Sequence, residues 1–199
     1  MAVFREMLRL YDEKLRNVLG IDERELALLC LKGDSEAIRE LYNRYAARLR
    51  AVCSRYSGGP VEGMDLTHDT IIKALREIGR FNYKGKGSLF AWLKKLAVNL
   101  AIDRLRRDGR LDLHNLTEDI LIAEPPEPEV MRSVPLTELL RMISELPEAK
   151  RLVFNMFCFD GFSHKEIASR LGISEKSSSS TLAKAKKLLI AKLETWKNG

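Results

Sequence analysis

Residues 162–189 read FSHKEIASRLGISEKSSSSTLAKAKKLL. Ser163 followed three positions later by Glu166 is a capping box, in which each side chain satisfies a backbone donor of the other. Ile167, Ala168 and Leu171 line one face of the short helix that follows. Gly172 supplies the left-handed residue that ends it, and Ile173 is the apolar residue buried in the tight turn. Ser174 is then a second N-cap. Beyond it Leu182, Ala185, Leu188 and Leu189 recur at helical spacing and are expected inward. A wheel of 3.6 residues per turn places Lys176, Ser180 and Lys187 opposite them, flanked by Ala183 and Lys184. A short helix, a turn with glycine and a longer basic helix are the layout of a helix-turn-helix that enters a DNA major groove. The competing reading of this stretch is a helical hairpin with a solvated lysine face. The four serines of 177–180 run against the pattern, because serine is a mediocre helix former and Ser178 falls on the buried side.

The whole chain has 199 residues, 45% of them hydrophobic and 31% charged, which suits a soluble globular protein of one large or two small domains. No Asn-Gly or Asp-Gly hairpin joins alternating runs, so an all-α fold is expected. The net charge of +6 is unevenly placed. Residues 73–107 carry ten Lys/Arg against two acids, and 176–199 carry six Lys against one Glu. Between them, 109–135 carry two Arg against six acids. Two basic segments around an acidic one suggest two contact surfaces for a polyanion.

Cys30, Cys53 and Cys158 are far apart within apolar helical patterns and read as reduced core thiols. No stretch reaches the roughly 18 apolar residues of a membrane span, and no signal-peptide core is evident, so a cytoplasmic protein is expected. Residues 3–19 carry Phe4, Met7, Leu8, Tyr11, Leu15, Val18 and Leu19 on one helical stripe, read as docking on the domain that follows. A helix from about Glu25 to Leu31 comes next. Asp34 then caps a long helix to about Tyr56, with Ala37, Ile38, Leu41, Tyr45, Leu49, Val52 and Cys53 inward. Ser57-Gly58-Gly59-Pro60 reads as a loop, and Asp65 or Thr67 as the start of a helix with Ile71, Ile72, Leu75 and Ile78 inward.

Residues 81–87, FNYKGKG, form a basic loop with two aromatics. Rings, lysines and glycine backbone are what a protein offers to unstacked bases and their phosphates. Gly85-Lys86-Gly87-Ser88 lacks the first glycine and the preceding strand of a P-loop, so neither nucleotide binding nor any other cofactor is expected. Ser88 is expected to cap a helix to about Arg107, with Trp92 as core. Glu124-Pro125-Pro126-Glu127-Pro128-Glu129 favours extended polyproline geometry, a tether before a last domain. The expected domains are an N-terminal extension, 1–24; a helical domain, 25–108; a linker, 109–135; and a helix-turn-helix domain, 136–199.

Four segments in order resemble the extracytoplasmic-function (ECF) type of bacterial RNA polymerase sigma factor. They are KGDSEAIRELYNRYAARL (32–49), DLTHDTIIKAL (65–75), FNYKGKGSLFAWLKKLAVNLAIDRLRR (81–107) and LPEAKRLVFNMFCFDGFSHKEIASRLGIS (146–174). The resemblance covers about Glu25 to Leu193. It implies a transcription initiation factor, not an enzyme, with core RNA polymerase and promoter DNA as partners and no membrane insertion; an anti-sigma protein is a partner it leaves open. By position, it implies that Asp65, His68, Asp69 and Ile72 face the polymerase clamp, where the family usually has Gln and Glu in place of His68 and Asp69. Tyr83, Lys84 and Lys86 would capture an unstacked base of the minus-ten element, and Asn99, Arg106 and Arg107 would meet the promoter backbone nearby. Ser179, Ser180, Ala183 and Lys184, with Lys176 and Lys187 from the wheel above, would face the minus-thirty-five element. The family commonly has a basic residue at Ser179 and Arg or Gln at Thr181, so fewer phosphate-pairing charges are expected there. The alternative is a dimeric helix-turn-helix regulator that acts on duplex DNA without polymerase. An enzyme would need paired carboxylates, a metal cluster or an activated nucleophile; His68, His114 and His164 stand in unrelated contexts.

Overall fold

The computed structural model describes residues 21–57, 59–111 and 134–197. The N-terminal stripe and the greater part of the acidic linker lie outside these residues. Every regular element among them is helical. The helices are α1 (Glu23–Leu31), α2 (Ser35–Ser57), α3 (Pro60–Glu77), a 3₁₀ turn (Ile78–Arg80) and α4 (Ser88–Arg107). After the linker come α5 (Leu136–Ser144), α6 (Glu148–Phe154) with a π turn (Asn155–Phe159), α7 (His164–Leu171) and α8 (Glu175–Lys197). The chain divides into two compact units, residues up to 49 with 68–96, and 50–67 with 97 onward.

In the first unit short polar side chains fix where helices begin. The Asp22 carboxylate accepts from the Glu25 amide at 2.8 Å, starting α1 two residues before the expected Glu25. Asp34 accepts from the Ala37 amide at 2.9 Å, as its position predicts, and opens α2. Apolar residues then converge: Leu26, Ala27 and Cys30 from α1, Ala37, Leu41, Tyr45 and Leu49 from α2, Ile71 and Ala74 from α3, and Leu89, Leu93 and Leu96 from α4. Three residues expected inward depart from the pattern. Ile38 and Leu75 are half-buried; Ile72 is exposed, because the buried stripe of α3 runs through Ile71 and Ala74 and on to Ile78 of the 3₁₀ turn.

The second unit holds the end of α2 and the start of α3. Helix α3 begins at Pro60, not at Asp65 or Thr67: a proline's fixed φ suits a first helical position. The early start brings Gly63 against α2. A Cβ at Gly63 would lie 2.4 Å from Ser54 Oγ and 2.7 Å from Ser54 Cα, so only hydrogen fits between the two backbones. Thr67, buried one turn on, donates its hydroxyl to the Gly63 carbonyl at 2.7 Å.

The same unit contains α5 to α8, with α5, α6 and α7 all packed on α8. The capping box forms in both directions, Glu166 amide to Ser163 Oγ and Ser163 amide to the Glu166 carboxylate. Gly172 takes the left-handed conformation at φ 71°, and Ser174 Oγ accepts from the Ser177 amide at 2.9 Å. Ile173, however, is only half-buried. Buried Arg151 donates to the Ser144 carbonyl at 2.8 Å and so closes the C-terminus of α5. Cys30 and Cys53 are core thiols as expected, whereas Cys158 is exposed on the π turn; the wider turn rotates it away from the apolar face that α-helical spacing would give it.

Gly63→Ala is expected to lower stability by about 1–3 kcal/mol in urea denaturation, because the methyl group must wedge two backbones apart. Adding Ser54→Gly should restore only part of the loss, since the contact at Ser54 Cα remains.

Candidate nucleic-acid interface

The basic loop at 81–87 is held from behind by one carboxylate. Glu23, in the first turn of α1, accepts from the Gly87 amide at 3.0 Å and the Leu89 amide at 2.9 Å. It therefore caps α4 across more than sixty residues of sequence. The same carboxylate accepts from the Tyr45 hydroxyl at 3.0 Å, tying α2 into the arrangement. Ser88, expected as that cap, is the first residue of α4 instead; its hydroxyl accepts from the Lys84 amide at 3.2 Å and folds the loop back on itself. Gly85 (φ 109°) and Gly87 (φ 90°) take backbone values that favour glycine, with open space where a Cβ would stand. The glycines serve the turn, not a close neighbour.

This frame presents Tyr83, Lys84 and Lys86 to solvent on one loop. Beside Tyr83 lies a groove of about 400 Å³ between the loop, the 3₁₀ turn and α1. Phe81 turns back toward Trp92, their ring centroids 5.6 Å apart. Trp92 is half-buried, so it is a support for the loop as well as core. Arg48 stacks over Phe90 at 4.0 Å, and Tyr45 lies parallel to the same ring.

The residues expected at the polymerase clamp, Asp65, His68, Asp69 and Ile72, are all exposed along α3. Val61 and Met64, exposed on the same helix, extend that stripe toward its N-terminus. Sequence reasoning missed them because it began the helix at Asp65; with the start at Pro60, their spacing from His68 would have shown them. Tyr42 of α2 stacks near His68, with Tyr42 Oη 3.4 Å from His68 Nε2.

Asn99, Arg106 and Arg107 lie in the second half of α4, within the second unit. There Arg170 of α7 donates to Asn99 Oδ1 at 2.7 Å, and Arg106 donates to the Arg170 carbonyl at 2.9 Å. The structure thus joins two of these residues to the helix-turn-helix. Arg170 also lies 4.7 Å above the Phe162 ring. Sequence reasoning gave Arg170 no role, and no local pattern marks it.

On α8 the six expected residues separate. Lys176, Ser179 and Lys187 are exposed and Lys184 is half-buried. Ser180 and Ala183 are buried, at 6% and 3% exposure, which corrects their expected place on a DNA face. Leu188, expected inward, is exposed. The burial of Ser180 and Ala183 comes from crowding. Ser177, Ser178, Ser180, Thr181 and Ala183 are small, and α6 and α7 close on the start of α8 over them. Their hydroxyls find partners inside: Ser178 Oγ lies 3.0 Å from His164 Nδ1, and Ser177 Oγ lies 2.8 Å from Ser174 Oγ. The serine run is therefore a packing surface with internal hydrogen bonds. Among the described residues no cluster of three or more His, Cys, Asp or Glu is placed to hold a metal ion. None of their helices is long and apolar enough to cross a membrane.

Comparison with known proteins gives two family matches in sequence order. Residues 41–111 match the family model "Sigma-70 region 2" and residues 136–189 match "Sigma-70, region 4". The ECF RNA polymerase sigma factor SigE of Mycolicibacterium smegmatis is 32% identical over 138 residues, 67% of this chain and 52% of that protein. This chain thus spans about half of that relative's length. The ECF RNA polymerase sigma-E factor of Escherichia coli is 31% identical over 150 residues, 69% of this chain and 76% of that protein. Among solved structures, the sigma factor RpoE of Bartonella quintana, in complex with the anti-sigma factor NepR, is similar with a TM-score of 0.51. That likeness covers 79% of this chain and 96% of the other at 21% identity, and is one of fold.

Burial, and after it the hydrogen bond to Glu23, pushes the Tyr45 phenol up to about 12. An unfolded tyrosine ionises near pH 10. The folded state therefore keeps the proton longer: Tyr45's contribution to stability is full below pH 10 and is lost as pH rises from 10 through 12. Denaturation midpoints should fall across that window more steeply in the native chain than in Tyr45→Phe. Equal slopes would show that the phenol does not titrate as stated.

Proposed function

The chain belongs to the ECF family of RNA polymerase sigma factors, and we propose that it binds core RNA polymerase and directs it to specific promoters. The observation that carries this reading is the order of two modules on one chain, a region 2 match at 41–111 and a region 4 match at 136–189. A dimeric regulator has no need of the first. In this reading residues 25–108 serve the polymerase and the minus-ten element, 109–135 form the linker, and 136–199 serve the minus-thirty-five element. The work is done beside the polymerase, in the cytoplasm, and is binding without catalysis.

The exposed stripe of Asp65, His68, Asp69 and Ile72 on α3 contacts the clamp, with Met64 extending the apolar part. Tyr83 stacks on a base that has left the duplex, while Lys84 and Lys86 neutralise the flanking phosphates. Unstacking costs a few kcal/mol per base, and stacking on an aromatic ring returns about 1–3 kcal/mol. A rigid loop holds the balance favourable, because little ordering is left to do when the base arrives; the Glu23 cap supplies that rigidity. Asn99, Arg106 and Arg107 meet the backbone of the same element once Arg170 has released the first two. On α8, Lys176, Ser179, Lys184 and Lys187 approach the major groove, and the few cations there predict a shallow salt dependence. An anti-sigma protein is a partner class that this reading accommodates, as in the Bartonella quintana complex.

Run-off transcription with purified core polymerase on a promoter library tests the proposal. Promoter-specific transcripts should require both components. A chain that ignores the polymerase yet binds an intact duplex as a symmetric dimer would overturn it. Within that assay, Lys84→Ala with Lys86→Ala should reduce promoter opening at least tenfold while core affinity changes less than twofold. Equal loss of both would refute the placement of the loop.

A further inference from the structure

Within the second unit, the helix-turn-helix domain grips the ends of α2 and α4 at three places. Arg170 of α7 donates to Asn99 Oδ1 at 2.7 Å, and its carbonyl accepts from Arg106 at 2.9 Å. That carbonyl is one of the last in α7, where a helix lacks intrahelical donors and carries the negative end of its dipole. Arg106 therefore finds there the kind of acceptor that a phosphate offers. Just past α4, Arg110 pairs with the carboxylate of Glu148 in the first turn of α6. At the end of α2 the buried Tyr56 hydroxyl donates to Asp160, and the Asn155 amide donates to the Arg55 carbonyl at 2.8 Å.

Promoter binding requires none of these bonds, and one of them opposes it. Asn99 and Arg106 stand two turns apart on α4 and so share a face. With α7 seated on that face, a DNA strand cannot lie along it. The bonds at Tyr56 and Asn155 are buried and directional, and they fix the register in which the domain docks. Those at α4 are looser. The Arg110 side chain is 50% exposed, and exposed ion pairs contribute little and weaken with salt. Every bond of the set is polar, so water or phosphate can replace it when the domain leaves, which keeps the closure reversible.

We propose that this contact is self-inhibitory: in the free chain Arg170 and Glu148 hold Asn99, Arg106 and Arg110, and a nucleic-acid backbone gains them only when the helix-turn-helix domain is drawn away. Arg170 acts as the latch, because its side chain occupies Asn99 while its carbonyl occupies Arg106. Glu148 adds a carboxylate where the next phosphate would lie. That core polymerase is what draws the domain away rests on the promoter reading above; the closure itself does not.

Arg170→Met combined with Glu148→Gln removes one positive and one negative charge, so a gain in DNA affinity cannot come from overall attraction. On the full chain without polymerase, a single-stranded oligonucleotide should bind this variant at least fivefold more tightly by fluorescence anisotropy. Log affinity should also fall with log salt more steeply, by about 0.7 for each arginine released. Tyr56→Phe loosens the same contact from α2 and should raise affinity at least twofold, which keeps the test open if the double variant unfolds. Unchanged affinity in both variants overturns the proposal. Spin labels at Asp108→Cys and Ser169→Cys, both exposed positions, in a Cys158→Ser background should report one short distance in the free chain. A broad distribution there also overturns the proposal. Adding core polymerase should lengthen the distance; a short distance that persists while run-off transcription proceeds would refute the inhibitory role. Tighter oligonucleotide binding by the variants without any promoter-specific transcript would uphold the closure and refute the promoter reading.

Discussion

One carboxylate organises the first unit. Glu23 is a first-turn residue of α1, yet its two oxygens answer the Gly87 and Leu89 amides at the head of α4 and the Tyr45 hydroxyl of α2. A helix N-terminus left with free amides in a protein interior costs the desolvation of each unsatisfied donor, and an anionic cap there also meets the positive end of the helix dipole. Because α4 starts where Glu23 holds it, the loop before α4 has a fixed end. Gly85 and Gly87 then turn it, Ser88 pins Lys84, and Phe81 anchors against Trp92. The exposure of Tyr83, Lys84 and Lys86 follows from these four attachments, so the interface inherits its shape from a bond to the first turn of α1.

In the second unit the limiting factor is space. Gly63 crosses Ser54 at backbone contact, and the start of α8 is paved with serine, threonine and alanine where α6 and α7 converge. Small residues allow close approach, but in α8 they also bring hydroxyl groups into the interior. Those groups are tolerated because His164 and Ser174 stand within bonding distance. A second polar cluster lies at the π turn, where buried Tyr56 donates its hydroxyl to Asp160 and the Asn155 amide donates to the Arg55 carbonyl at 2.8 Å. Burial, reinforced by Asp160, holds the Tyr56 phenol well above the ordinary tyrosine range. Interior hydrogen bonds of this kind specify one packing arrangement, since any shift leaves a buried donor unpaired.

The helix-turn-helix was legible almost residue by residue, because capping is local: Ser163 and Glu166, Gly172, and Ser174 each act within four positions of themselves. The same holds for Asp34. The polar exposed stripe of α3 was legible from the family likeness, though not its apolar extension to Met64 and Val61, which depended on the true start at Pro60. The wheel for α8 erred at Ser180, Ala183 and Leu188 for an identifiable reason. A wheel sorts residues by polarity around one helix and assumes one buried side, whereas three helices press on α8 and leave it more than one.

Local chemistry in the sequence therefore determined the helical class, the positions of the caps, the order of the two family modules and the basic loop between helices. Tertiary structure alone decided which carboxylate caps α4, which serines are interior, and that Arg170 occupies Asn99 and Arg106. The physical reason is range. Capping, periodicity and turn conformation act over a few residues and are written in the adjacent letters. A bond across more than sixty residues exists only once the chain has brought its ends of that bond together.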